Sequence, residues 1–339
     1  MSLLFFDGFD GYDAAADLTN FGGWISQTAM AISSTVRVGS GKSIQINSGT
    51  NKQARYLMNP VQTAKTLFAG FAVNRSSGIA TNVFALYNAA LAVQIALNIT
   101  AEGFLQALAG NRSTILATGT TALQNNTWYY VELKLLVANT GGIFDCRLNG
   151  ASEFTFTGDT QQQSTDEVAS VALENWQGAT TILIDDFYLL NSDGTANNTY
   201  LGEQRCEIMT PTSDSTVAWA RNTGASNFSA VDDAIGAPDD DTTYVSSSTS
   251  AQKDEYGLSD LTGVNAVAGV KLVTRAEKDD ANPLSLKTGI KSGATDQQVV
   301  HALGVGYANF IDLFETSDGA STAFTPTTVN SLLSTLEIP

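Results

Sequence analysis

The sequence predicts an all-β protein, with an N-terminal antiparallel β-sandwich followed by a second, smaller β-rich domain. Three observations predict it. β-Branched and aromatic residues alternate over short runs bounded by clusters of Gly, Asn and Ser. Long apolar patterns of helical period are nearly absent. Finally, Asn149-Gly150 separates two alternating runs, Phe144 to Leu148 and Ala151 to Phe156, and a two-residue Asn-Gly loop is the strongest short hairpin signal.

In chain order the expected strands are Leu3 to Phe9, Ser43 to Ile46, Thr66 to Val73, Val83 to Tyr87, Ala92 to Ile99, Gly103 to Ala109, Ser113 to Ala117, Trp128 to Val137, Gly142 to Leu148, Ala151 to Thr157, Val168 to Asn175 and Thr181 to Leu190. Many short strands joined by turns suit a sandwich rather than βαβ units. In the Asn-Gly hairpin, alternation places Phe144, Cys146 and Leu148 on one face, and Ser152, Phe154 and Phe156 on one face of the next strand. The polar run Asn191 to Thr199 follows an apolar strand and sets a boundary, giving domains 1-194 and 195-339. Two domains also suit 339 residues, more than one core usually organises. In the second domain, strands are expected at Gln204 to Met209, Val217 to Trp219, Ala266 to Thr274, Leu284 to Ser292, Gln297 to Ala302 and Ala308 to Glu315. Val231 to Tyr244 and Ser246 to Ser250 read as loops, Thr325 to Leu336 as a short helix opened by Pro326, and no fixed-period repeat is evident.

Hydrophobic residues at 43% suffice for folded cores, while charged residues at 15% fall well below the usual value of about 25%. Uncharged β surfaces and a folded rather than disordered chain follow. A formal charge of −17 with only 17 Lys and Arg excludes a phosphate-reading surface, so no nucleic-acid partner is expected. Met1 to Phe9 lacks a basic n-region and no window offers a long uninterrupted apolar run, so a soluble chain made in a cytosol, without membrane insertion, is expected.

Cys146 and Cys206 lack metal-site spacing, and either one disulfide or two buried thiols fits them. The single histidine, His301, sits in an alternating run as a strand residue, and no Gly-x-Ser-x-Gly elbow accompanies it. The best carboxylates, Asp166-Glu167, Glu174 and Asp185-Asp186, do not form the Glu-x-Asp-x-x-Glu pattern of a glucanase strand. A chain without enzymatic activity is the resulting expectation. Asp185 and Asp186 face opposite sides of their strand, and pair either with the opening strand's backbone or a nearby Arg, or with calcium. The richer calcium candidate is Asp232, Asp233, Asp239, Asp240 and Asp241 around Gly236 and Pro238, with a solvated acidic turn or backbone capping as alternatives. Apart from that calcium, no cofactor is expected. Trp24, Tyr12, Trp176, Trp219 and Tyr244 lie near loops, and Trp176, Trp219 and Tyr244 are the glycan-stacking candidates, whereas Trp128 belongs to a strand.

Phe5-Phe6-Asp7-Gly8-Phe9-Asp10 opens the first half, Asn126-Thr127-Trp128-Tyr129-Tyr130-Val131-Glu132-Leu133-Lys134 lies centrally, and Ile184-Asp185-Asp186-Phe187-Tyr188-Leu189 closes it. In this order they resemble a concanavalin A/laminin-G-like jelly roll. The second half, through Tyr200 to Arg205, Pro238 to Tyr244 and Asp254 to Leu258, is similar to domains that follow such sandwiches in virion proteins of tailed phages. That resemblance implies a virion structural protein, a tail-associated fibre or appendage, assembled with other virion proteins as a homotrimer and contacting host-surface glycan. The alternatives it leaves are a capsid decoration or head-fibre protein and a polysaccharide depolymerase. Fold-level likeness alone does not choose among them.

Overall fold

The computed structural model describes residues 1–49 and 51–339, and the chain divides into two compact units, Met1–Cys206 and Glu207–Pro339. The first unit contains β1 (Leu3–Asp7), the single helical turn α1 (Asp17–Asn20), β2 (Ser26–Gln27), β3 (Met30–Ser33), β4 (Ser43–Ile46), β5 (Lys52–Gln62), β6 (Thr66–Arg75), β7 (Thr81–Tyr87) and β8 (Val93–Ile99). It continues with β9 (Leu105–Ala109), β10 (Ile115–Thr118), β11 (Tyr129–Leu136), β12 (Gly142–Leu148), β13 (Ala151–Phe154), β14 (Thr157–Gly158), β15 (Val168–Asn175) and β16 (Ile182–Asn191).

These strands form two antiparallel sheets. One runs β13-β12-β11-β6-β16-β4-β3, with β1 added on β16 and β14 on β12; the other runs β10-β9-β8-β7-β15-β5-β2. Phe71 of one sheet stacks on Phe84 of the other at 5.9 Å, and Phe5, Trp24, Tyr56 and Phe187 pack ring against ring beside them. The sandwich and its core are therefore as the alternation predicts. The hairpin is also as expected: Leu148 pairs with Ala151, and Asn149 and Gly150 both take positive φ, 49° and 80°, as a type I′ turn demands. A bulge between Cys146 and Arg147 shifts the second strand, which ends at Phe154.

Each sheet also has an outer face. That of the nine-stranded sheet carries Phe68, Ala72, Tyr130, Tyr188 and Leu190, covered by Tyr200 and Leu201, with Glu132 accepting from the Gly202 N–H and the Tyr188 hydroxyl. Residues after the expected boundary near 195 thus pack on the sandwich, and the compact unit runs to Cys206.

The second unit holds β17 (Pro211–Thr216), β18 (Ala220–Arg221), β19 (Val245–Ser246), β20 (Lys253–Leu258), β21 (Val270–Ala276), β22 (Ser285–Ser292), β23 (Thr295–Ala302), β24 (Ala308–Phe314), α2 (Pro326–Asn330) and β25 (Leu333–Glu337). A five-stranded sheet, β17-β20-β25-β22-β23, is accompanied by the pairs β18-β19 and β21-β24. Its core gathers Ile290, Phe314, Phe324, Val329 and Leu332.

Several expectations fail for local reasons. The eleven-residue β5 is missed because it lacks clean alternation and contains Pro60, which ordinarily demotes a strand. No strand forms at Gln204 to Met209 or Val217 to Trp219; the polar Pro211–Thr216 pairs instead. The expected helix over Thr325 to Leu336 is one capped turn, after which Leu333–Glu337 pairs with β20 and β22 on both sides. Two ladders outweigh a weak helix propensity.

Candidate functional site

The register of the seven-stranded sheet builds a floor on its outer face. Arg55 lies opposite Ala172, Ala172 opposite Ala85, Ala85 opposite Ala96 and Ala96 opposite Leu108, so one row crosses five strands and is small on its three central ones. The three alanines are fully buried although they point away from the core, because Tyr87 and Leu108 pack with them. Small side chains leave the height that Tyr87 and a guanidinium need to lie across the sheet.

That guanidinium is Arg112, on the turn between β9 and β10, with φ of 58°. Its Nη1 donates to Glu174 Oε1 at 2.5 Å and to Asn82 Oδ1 at 2.7 Å. Its Nη2 donates to Glu174 Oε2 at 3.0 Å and to the Tyr87 hydroxyl at 2.8 Å. The same hydroxyl donates to Glu174 Oε2 at 3.0 Å. The guanidinium carbon sits 4.0 Å from the Trp176 ring centroid, a close cation–π stack. The side chains of Arg112 and Glu174 are 8% and 0% exposed. Burial, then the Glu174 charge, pushes the Tyr87 phenol above its ordinary range. Burial opposes the Arg112 cation, but hydrogen bonding and charge from Glu174 outweigh it and hold the proton.

Beside this network runs a row of uncharged polar groups. Asn82 faces Asn98 and Asn98 faces Gln106, which faces Thr118. Asn82 Nδ2 donates to Asn98 Oδ1, Asn98 Nδ2 to Gln106 Oε1 and Gln106 Nε2 to Thr118 Oγ1, at 3.2 to 3.3 Å. The row advances one group per strand, about 4.8 Å each. Asn98 and Gln106 are half-buried and Thr118 is exposed, so donors and acceptors alternate along an accessible track. At the other end of the face, the buried Gln94 amide clamps the loop after β14, donating to the Thr165 and Glu167 carbonyls and accepting from the Gln162 and Gln163 N–H groups. Ser26 Oγ, Arg55 Nε and Ser170 Oγ, on this same face, are buried without a hydrogen-bond partner in the protein.

Of the glycan-stacking candidates, only Trp176 reaches this face, and Arg112 occupies one side of its ring. Trp219 is in the second unit, its indole N–H donating to the Gln252 carbonyl at 3.1 Å. Tyr244, 39% exposed, pairs its backbone with Asn222. Trp24 and Tyr12 both donate to the buried Asp7 carboxylate and belong to the core.

The calcium candidates are spread among protein partners. Asp239 accepts from Thr243, Asp233 from the Asp239 N–H, Asp240 pairs with Arg275 at 2.5 Å and Asp241 accepts from Tyr307, while Asp232 stays exposed. Among the described residues, no group of three or more His, Cys, Asp or Glu is arranged to hold a metal. Asp186 pairs with Arg37 at 2.9 Å, as one reading of the sequence expects. Burial and the Asp186 charge raise Asp185 to about 7, and burial, with Asp186 and Asp7 nearby, raises Asp10 to about 6. His301 contacts Asp312 at 3.1 Å and packs on Phe310. Cys146 is a buried thiol and Cys206 a half-buried one.

Glu174 and Trp176 were legible as candidates; Arg112, Tyr87, Asn82, Asn98 and Gln106 were not. Their only linear signal is the alternation of amides with apolar residues in Val93–Ile99 and Leu105–Ala109, which gains meaning once register is known.

No family model matches the chain, and no curated protein matches it. Solved structures of similar shape include alginate lyase Aly36B, at 12% identity and TM-score 0.38, covering 55% of this chain and 95% of that one. A sialidase aligns at 13% identity and TM-score 0.38 over 56% of this chain, but only 19% of its own. A carbohydrate esterase of Shiga toxin-encoding bacteriophage phi24B aligns at 14% identity and TM-score 0.37, covering 56% of this chain and 98% of that one. At these values the likeness is one of β-sandwich shape. The expectation of a chain without enzymatic activity is nevertheless withdrawn, because it rested on missing linear motifs alone. The physical reason lies in the sheet: the absence of a linear motif excludes nothing when Asn82, Tyr87, Arg112 and Glu174 converge from separate segments.

Proposed function

We propose that the first unit engages an extended polysaccharide on the outer face of its seven-stranded sheet. The observation that carries this reading is the Asn82-Asn98-Gln106-Thr118 row, one uncharged donor-acceptor group per strand. Sugar hydroxyls present donors and acceptors in the same mixture, and one strand spacing is close to the length of one sugar unit in an extended chain. The chain then lies across the strands. The open part of Trp176, whose backbone N–H donates to the Asn82 carbonyl, borders the track.

Cleavage of the bound polysaccharide is the second reading, favoured by the buried Arg112-Glu174-Tyr87 network beside the track. Charges so far from water are costly, and groups shifted as the Tyr87 phenol is cluster at functional sites. Both readings suit a particle-borne protein that meets a host surface. The resemblance of Tyr200 to Arg205, Pro238 to Tyr244 and Asp254 to Leu258 to phage virion domains supports placing it in a tail appendage, with a head location as the alternative. A homotrimer, other virion proteins as neighbours and host-surface glycan as ligand complete the proposal.

The test is incubation of the whole chain with a panel of purified bacterial surface polysaccharides. Retention of the chain on one of them is expected. New reducing ends in the same incubation assign cleavage, and unchanged chain length assigns binding; no retention on any polysaccharide removes the reading.

A further inference from the structure

The opposite sheet carries a second hollow, on a face that the proposed polysaccharide track does not use. Asn74 on β6 faces Leu183 on β16, and Leu183 faces Gln45 on β4, so the three side chains share the outer face of the nine-stranded sheet. With Thr35, Ser76, Asn126 and Thr181 they line a cavity of about 380 Å³. Ligand pockets for small molecules begin near 300 Å³.

Its lining is unusual in kind. Every side chain is an amide or a hydroxyl except Leu183, and none carries charge. Cations and anions therefore find no counter-charge, and a purely apolar ligand would strip water from amides without replacing it. The decisive residue is Asn74. It is 6% exposed, it faces the hollow, and its carboxamide makes no hydrogen bond to the protein among the described residues. Its amide oxygen and nitrogen are not sealed off by protein, so their hydrogen-bonding capacity is open to the hollow. Its neighbours are held in place: the Gln45 amide donates to Asn47 Oδ1 at 2.7 Å, and the Ser76 hydroxyl accepts from the Thr181 N–H at 2.9 Å. The Asn126 N–H is tied to the Arg75 carbonyl at 2.8 Å in a left-handed turn, with φ of 55°.

We infer that this hollow is a binding site for one neutral sugar ring, with Asn74 hydrogen-bonding ring hydroxyls and Leu183 under an apolar C–H face. The site is separate from the polysaccharide track and stands whether or not that track binds. A chain with both sites grips glycan on two faces of one sandwich.

The probes are methyl glycosides of neutral hexoses and N-acetylhexosamines, with methyl glucuronoside as the charged control, read by saturation-transfer NMR on the whole chain. At least one neutral glycoside is expected to receive saturation and the glucuronoside none. Asn74→Leu should weaken the binding about tenfold, the worth of one good hydrogen bond. Because Asn74 is buried, Gln45→Leu provides a second variant at a half-buried position, with a similar loss expected and an unchanged melting curve confirming the fold. Lys291→Ala, in the second unit, should leave the signal intact. Failure of every neutral glycoside to bind, equal binding of the glucuronoside, or binding that both Asn74→Leu and Gln45→Leu leave unchanged would overturn the inference.

Discussion

Both units bury carboxylates, but they differ in how deeply the paired cations lie. In the sandwich, β15 and nearly all of β6 are buried on both faces, and Glu132, Glu174, Asp185 and Asp186 are enclosed with them. In the second unit, β21 is half-buried along its whole length and no residue of β23 is buried. Its sheet encloses Asp254 and Glu255 as well, but its cations stay part-exposed: Lys291 pairs with Glu255, Lys287 with Glu337 and Lys253 with Asp296. A sheet roofed on its outer face can hold a buried cation as well as its carboxylate and so shape a site, whereas part-exposed lysines give pairs that salt screens. The site therefore belongs to the sandwich.

The largest expected effect breaks that contrast at its centre. Arg112→Ala leaves Glu174 buried and uncompensated, and the sandwich should lose about 3–5 kcal/mol in chemical denaturation. A loss below about 1 kcal/mol would mean that water reaches Glu174 and that the face is open after all.

The pH dependence comes next, and its sign differs between the units. Asp185 and Asp10 titrate higher folded than unfolded, so their contribution is complete below pH 4 and disappears as pH rises through about 6 to 7. For Asp185 this amounts to at most about 4 kcal/mol. In calorimetry the sandwich should melt higher at pH 5 than at pH 8, and Asp185→Asn, which mimics the protonated acid, should flatten the difference. In the second unit, Arg275 holds Asp240 below its ordinary range, and Lys291 and Lys253 outweigh burial at Glu255 to do the same. Those contributions are present above pH 4.5 and vanish as pH falls further, so acid should destabilise the second unit while the sandwich is at its most stable.

Smaller effects sharpen the picture. Thr325→Ala removes the cap of α2, where Thr325 and Thr328 bond each other's backbone, and should cost the second unit about 1 kcal/mol. Lys291→Ala, at a side chain 31% exposed, should cost less than about 1 kcal/mol and less still in high salt. A loss equal to that of Arg112→Ala would erase the distinction between the units.

Legibility in the sequence follows the same divide. In the sandwich, Ser43–Ile46, Gly142–Leu148 and Val168–Asn175 lie where alternation places them, because buried faces enforce a period of two. In the second unit, Lys253–Leu258 was unread and most of Leu333–Glu337 was read as helix, since polar strands between polar neighbours carry little period. The site was half legible. Glu174 and Trp176 stood out as types, but Arg112 meets them only because a left-handed turn aims it across four strands. That geometry is a property of register, and register is not written in any one segment.

The most direct test is a glycan array of bacterial surface polysaccharides probed with the whole chain and with the Asn98→Ala and Gln106→Ala variants. Both positions are half-buried and should tolerate alanine with little change in melting. The account predicts at least one polysaccharide that binds the unmodified chain and loses tenfold or more in affinity with each variant. Binding that neither substitution alters, or no binding at all, would contradict it.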